Sequence, residues 1–230
     1  MPAPVHTEMV SFSSNGDRVD GLLARPEGSG PFPGVIVIQE WWGLDDHIKD
    51  VAARFASEGF AALAPDLYHG TVTHEPDEAQ KMMMALDMSR ATKELTEAAD
   101  YLASQPFIAG RGIGAIGFCM GGGLAMSLAC NSRHVKAVAP FYGANPDPID
   151  QVANLQGPVF AAYAQNDAWI SPPVRDALAA ALRRHGKQSE MKVYEGTDHA
   201  FFNDTRPEVH NSAAAADAWE KALKLFRDNL

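Results

Sequence analysis

The run Gly112-Ile113-Gly114-Ala115-Ile116-Gly117-Phe118-Cys119-Met120-Gly121-Gly122-Gly123 restricts the fold more than any other part of this chain. Its apolar first half reads as a buried strand and its small-residue second half as the start of a helix, and Gly-x-Cys-x-Gly leaves room for only a sharp turn between them. The residue at the centre of such a turn adopts a strained backbone and projects beyond the strand. Glycines flank it because side chains there would meet neighbouring backbone. The sequence thus predicts that Cys119 stands above a sheet edge, over a helix N-terminus near Met120, where free N–H groups and the helix dipole favour a thiolate and an oxyanion. Cysteine alone is more often a small buried hydrophobe. The residues downstream decide between the two.

Val159-Phe160-Ala161-Ala162-Tyr163-Ala164 reads as a buried strand and is followed at once by Gln165-Asn166-Asp167. Met191-Lys192-Val193-Tyr194-Glu195 alternates like a last strand and runs into Gly196-Thr197-Asp198-His199. A nucleophile, an acid and a histidine in that order, each just beyond a strand, is the order an α/β-hydrolase needs. In this reading Cys119 attacks an acyl carbon as thiolate, since the neutral thiol is a poor nucleophile. His199 is the base. Asp167 orients its ring and fixes its tautomer. Asp198 is a rival for that role and the weaker one, because adjacent side chains rarely hydrogen-bond in the required orientation. The oxyanion hole of this architecture uses the N–H after the nucleophile and one from the loop after the third strand, here Met120 and Trp41. Glu40, in that same loop, is placed to approach the thiol and keep it protonated, or to remain a solvated charge.

The rest of the chain supplies the frame. Glu8–Ser13 and Val19–Ala24 alternate about Ser14-Asn15-Gly16-Asp17, a hairpin signal. Beyond them strands and helices alternate: Val35–Gln39, a helix from about Asp46, Ala61–Ala64, helical sequence to Ala103, Ile113–Phe118, a helix to Cys130, and Val135–Phe141. The expected fold is α/β, a mostly parallel twisted sheet with helices on both faces and an N-terminal antiparallel hairpin, in a single domain over residues 1–230. Three helices have readable buried stripes: Ile48, Val51, Ala52, Phe55 and Ala56; Val174, Ala177, Leu178, Ala181 and Leu182 after Pro172-Pro173; and Ala216, Trp219, Leu223 and Phe226 from Ser212 onward. His69–Asp77 is the one long irregular stretch, placed to border a site.

A net charge of −10 without clustered Lys or Arg argues against nucleic-acid and anionic-membrane partners. No leader pattern opens the sequence and no run of about 18 apolar residues occurs, so a cytoplasmic protein is expected, as a monomer or small homo-oligomer. The two cysteines lie near opposite ends of one helix, about 16 Å apart at 1.5 Å per residue, too far to pair. Gly112-Ile113-Gly114-Ala115-Ile116-Gly117 spells a dinucleotide motif, but its glycines fall within the strand and no acid occurs between Cys119 and Asp147. The eight histidines include no His-x-His or His-x-x-x-His pair, so no metal site is expected. A non-catalytic binding protein of the same fold would usually have lost a member of the triad.

Together, Gln39-Glu40-Trp41-Trp42-Gly43, Ala64-Pro65-Asp66-Leu67-Tyr68, Gly117-Phe118-Cys119-Met120-Gly121-Gly122, Phe141-Tyr142-Gly143, Asp167 and Gly196-Thr197-Asp198-His199-Ala200-Phe201 make nearly the whole chain resemble the dienelactone hydrolases, the carboxymethylenebutenolidase-like branch of the α/β-hydrolases. The resemblance implies a Cys119–His199–Asp167 triad, with Glu40 contacting the resting thiol and releasing it when substrate binds. It further implies cofactor-free hydrolysis of an enol-lactone or activated ester through a thioester, and it sets Trp42 and Tyr142 among the substrate-binding residues. A broad-specificity carboxylesterase of the same fold is the alternative. One departure stands out: where the family carries an arginine four residues after the histidine, to hold a substrate carboxylate, this chain has Asn203, which is expected among the substrate-binding residues in its place. Arg206 and Lys81 are the basic candidates for that task. Met82, Met83, Met84 and Met88 either line an adaptable apolar pocket or belong to the core.

Overall fold

In the computed structural model of the chain, which describes residues 4–230, Asn15 and Gly16 take φ of 55° and 83°. Positive φ at both central residues gives the two-residue turn whose twist matches paired antiparallel strands. They join β1 (Val5–Ser14) to β2 (Asp17–Pro26) in the expected hairpin. Met1-Pro2-Ala3, on which the reading of the N-terminus partly rests, lie outside the described residues.

After the hairpin come β3 (Phe32–Ile38), α1 (Asp46–Ser57), β4 (Ala61–Pro65), α2 (Pro76–Ala85), α3 (Met88–Ala103), β5 (Ile108–Phe118) and α4 (Met120–Asn131). They are followed by β6 (Val135–Phe141), β7 (Val159–Ala164), α5 (Pro172–Arg184), β8 (Ser189–Tyr194) and α6 (Ser212–Asn229). The strands form one eight-stranded sheet in the order β1-β2-β4-β3-β5-β6-β7-β8. β2 pairs antiparallel with β1 and β4, and every later pairing is parallel.

Because successive side chains of a strand point to opposite faces, β3 feeds two cores. Val35 and Val37 pack with α1 and α6, while Ile36 and Ile38 pack with α3, α4 and α5. The α1 stripe is buried as its spacing requires, and Asp45 caps that helix by accepting from the Ile48 N–H at 3.0 Å. Two stripes are rotated from expectation. In α5, Ala177 is exposed and Arg175 is buried instead, its Nη1 donating to the Ala164 carbonyl at 2.7 Å. In α6, Ala216 is exposed, and Ala214, Ala215, Ala218 and Ala222 face the core with Leu223 and Phe226. The methionine stretch is not core either: α2 buries only Ala79, and Met84 and Met88 are exposed. No helix among the described residues is long and apolar enough to cross a membrane.

Candidate active site

Cys119 holds φ 55° and ψ −118° between β5 and α4, a conformation rare for a residue with a side chain and recurrent at functional turns. Its N–H donates to the Phe141 carbonyl at 3.1 Å, and its own carbonyl accepts from Gly122 at 2.9 Å. The glycines around it are sterically required. A Cβ on Gly117 would collide with the backbone of Gly121, and one on Gly121 with the carbonyls of Ile38 and Gln39. The turn thereby lodges α4 against the end of β3 and lifts the thiol out of the core, leaving Cys119 half-buried.

The loops after β7 and β8 bring Asp167 and His199 together. His199 Nδ1 lies 2.7 Å from Asp167 Oδ2, and Asp167 Oδ1 accepts from the N–H groups of Trp169 and Ile170, both at 2.9 Å. Burial works against the Asp167 carboxylate, but the imidazole and these two N–H groups hold its pKa below the ordinary value. Burial also works against the imidazolium of His199. Its hydrogen bonds to Asp167 and Cys119, and their charges, prevail and push its pKa up to about 10. The ring therefore has a carboxylate on one side and the thiol on the other, the order in which an orienting acid, a base and a nucleophile act. Asp198 is exposed at the rim and makes no such pair. The N–H groups of Met120 and Trp41 have no acceptor among the described residues, and both residues line the cleft in front of the thiol.

Glu40 differs from expectation. It lines the same cleft and is 2% exposed, but no hydrogen bond joins it to Cys119 among the described residues. Its partners are Asn203, whose Nδ2 donates to Oε2 at 2.7 Å, and Tyr142, whose hydroxyl donates to Oε1 at 3.4 Å. Burial raises its pKa, with His47 acting in the opposite direction. Asn203 is thus corrected from a substrate ligand to a buried support. Its Oδ1 is spent on Thr205, from the backbone N–H at 3.1 Å and the hydroxyl at 2.7 Å.

The cleft holds about 500 Å³. Trp41, Trp42, Met83, Trp169, Ile170 and Val209 give it apolar walls. Trp42 and Tyr142 fall in the wall, and the Tyr142 ring packs on His199 with 5.0 Å between centroids. Arg206 reaches it too, its guanidinium 5.6 Å from the Trp42 ring centroid and its Nε donating to Glu208 at 2.8 Å. Lys81 does not: it is exposed on α2 and forms no part of the wall, because the helix turns Met83 inward and Lys81 to solvent. Sequence reasoning misses Trp169, Ile170 and Val209. A tryptophan two residues after the acid is the available signal. Among the described residues no group of His, Cys, Asp and Glu side chains is arranged to hold a metal ion.

The two thiols are expected to behave differently. Both are free, and burial pushes the Cys130 pKa up to about 12, so iodoacetamide near pH 7 should modify Cys119 alone. Peptide mass mapping of the alkylated protein checks this, and Cys130→Ala should alkylate at the wild-type rate.

A mostly parallel sheet with such an elbow after β5, and an acid and a histidine on the loops after β7 and β8, is the build of an α/β-hydrolase. Residues 19–230 match the model of the dienelactone hydrolase family, and the chain belongs to that family of hydrolases. It is 35% identical over 230 residues to "Protein usf" of Aquifex pyrophilus, covering 97% of this chain and 99% of that one. It is 34% identical over 254 residues to the "Putative carboxymethylenebutenolidase" of Saccharolobus solfataricus, covering 95% and 97%. Among solved structures it is similar to a dienelactone hydrolase-like promiscuous phosphotriesterase from metagenomic libraries, with TM-score 0.89, 26% identity and 98% of each chain covered.

Proposed function

We propose that this protein hydrolyses enol-lactones or activated carboxylic esters through a thioester on Cys119, with His199 as base and Asp167 as the group that orients it. The observation that carries the reading is the 2.7 Å His199–Asp167 bond with the thiol on the other side of the ring. The thiolate attacks the acyl carbon, and the oxyanion that forms is met by the N–H groups of Met120 and Trp41. The carbon–oxygen bond then breaks, and the leaving alkoxide or enolate takes the proton held by His199. Water attacks the thioester next, giving its proton to His199. Loss of the Cys119 thiolate from the second tetrahedral species releases the carboxylic acid and restores the site.

Sulfur at this position selects the leaving group. A tetrahedral species on sulfur expels thiolate more readily than an amine, so amides revert while enols and phenols depart. The apolar walls favour a hydrophobic acyl or alcohol portion, and Arg206, partly satisfied by Glu208, is the place where a substrate carboxylate would be met. The apolar walls formed by Trp41, Trp42, Met83, Trp169, Ile170 and Val209 support the second reading, a broad-specificity carboxylesterase. A panel of enol-lactones, aryl acetates and the matching anilides decides. Enol-lactones and aryl esters should turn over at least about 100-fold faster than the anilides, the scale of one well-placed acid–base contribution. Comparable turnover of anilide and ester would defeat the thioester mechanism, and equal kcat/KM across all the esters would favour the broad esterase.

A further inference from the structure

The mechanism uses nothing from Ala64-Pro65-Asp66-Leu67-Tyr68, where β4 ends and a loop begins. Asp66 is buried and folds that loop, its Oδ1 accepting from the Tyr68 N–H at 3.0 Å and its Oδ2 from the Gly70 N–H at 2.6 Å. A carboxylate that takes N–H groups just ahead of it in the chain makes a tight turn without help from a helix or strand. His69 and Gly70 complete the turn with φ of 51° and 96°, and positive φ at a histidine is held only where the surroundings over-determine it. The loop is anchored to α3 as well, with His69 Nε2 3.3 Å from Oε1 of the buried Glu94.

Three hydrogen bonds join this loop to the two segments that carry Trp41 and Met120. The Leu67 N–H donates to Gln39 Oε1 at 3.1 Å and the Thr73 N–H to the Trp42 carbonyl at 3.0 Å, so the loop grips the chain on both sides of Glu40-Trp41. Close packing adds to them, since a Cβ on Gly43 would collide with the Thr71 carbonyl. The third bond crosses to the nucleophile elbow, from the Tyr68 hydroxyl to Met120 Sδ at 3.4 Å. Burial raises the Tyr68 pKa, so the hydroxyl stays a donor. Methionine has three rotatable side-chain bonds, and Met120 lines the cleft directly after the nucleophile in the chain. A thioether without that partner would sweep the space in front of the thiol.

We propose that the loop after β4 braces the oxyanion hole, with Tyr68 as its positioning residue: the Tyr68 hydroxyl, together with the Leu67 and Thr73 N–H groups, ties the Met120 and Trp41 segments to each other across the reacting carbonyl. Two donors from different elements stabilise an oxyanion only when both are already aimed at it, and a shift of about 1 Å can cost about 100-fold in rate. Asp66, which folds the brace, acts through Tyr68. The proposal rests on the reading of the cleft as the hydrolytic site.

Two reagents that react with Cys119 test it, because only one of them needs the oxyanion hole. A trifluoromethyl ketone takes the thiolate at its carbonyl carbon, and its oxygen becomes an oxyanion. Iodoacetamide takes the thiolate at a saturated carbon, loses iodide and forms no oxyanion. In Tyr68→Phe the affinity for the ketone and kcat/KM for an aryl ester should fall together by about 10-fold, less than the roughly 100-fold or more for deleting an oxyanion donor outright, while the iodoacetamide rate keeps its wild-type value. Met120→Leu removes the acceptor and should show the same split, and it serves if Tyr68→Phe does not fold. Unchanged ketone affinity, or alkylation that falls in step with it, overturns the proposal. Neither reagent needs turnover, so that result is distinct from failure of the hydrolytic reading, which retained ester hydrolysis in Cys119→Ala would report.

Discussion

Cys119→Ala should lower kcat/KM for an aryl ester by about 10⁴-fold or more while leaving the fold intact. Loss of the nucleophile in a triad leaves only what the oxyanion donors and the binding cleft provide. Alanine is tolerated at this position because the thiol is half-buried and its bonds to the elbow are made by backbone atoms, the N–H to Phe141 and the carbonyl to Gly122. Steady-state kinetics and a denaturation curve on the same preparation check both halves. Cys119→Ser should recover little, since a hydroxyl is a weaker nucleophile beside a histidine whose pKa is tuned by a thiol.

The second large effect is expected from Asp167→Asn, which should reduce kcat by about 10³- to 10⁴-fold, as for the orienting acid of comparable triads. The amide keeps the shape and can still accept from Trp169 and Ile170, but it presents the ring with the wrong tautomer or no charge. The same substitution should alter stability in a defined pH window. The folded pKa of His199 is raised to about 10, so its stabilisation is complete below the unfolded value of about 6.5 and fades as pH rises toward 10. The folded pKa of Asp167 is depressed, so its stabilisation is complete above the unfolded value of about 4 and is lost as pH falls through the folded one. Urea denaturation should therefore show the largest gap between wild type and Asp167→Asn near pH 5–6, narrowing toward pH 10. A gap that widens with rising pH would contradict the His199–Asp167 pairing.

How much of the fold and site is legible in the sequence depends on the range of the interaction. The hairpin at Asn15-Gly16 and the elbow at Cys119 are local: glycine and backbone sterics determine them within a few residues, and both appear where expected. The α1 stripe is legible because large apolar residues and charges alternate cleanly around it. In α6, Ser212-Ala213-Ala214-Ala215-Ala216-Asp217-Ala218 offers several equivalent small-residue faces, and tertiary packing of Phe226 and Leu223 selects Ala215 and Ala218 over Ala216. Arg175 is hidden for a different reason, since its burial is satisfied by a carbonyl eleven residues away on β7. The site divides in the same way. Cys119, Asp167 and His199 each follow a strand and can be placed one by one. The Glu40–Asn203 bond spans 163 positions, and nothing near either residue announces it. That pairing gives the Glu40 carboxylate Asn203 as a partner and buries Asn203 beneath it, while the orientation of α2 leaves Lys81 outside the wall.

The central claim is that acyl transfer passes through sulfur, and the most direct measurement is acid-quench mass spectrometry during turnover of a slowly hydrolysed aryl ester. A thioester intermediate predicts a protein heavier by one acyl group, with the added mass on the peptide carrying Cys119. That mass should disappear on treatment with hydroxylamine, as a thioester does, and should be absent in Cys119→Ala. Steady turnover with no acylated protein, or acylation of a different residue that persists in Cys119→Ala, would contradict it.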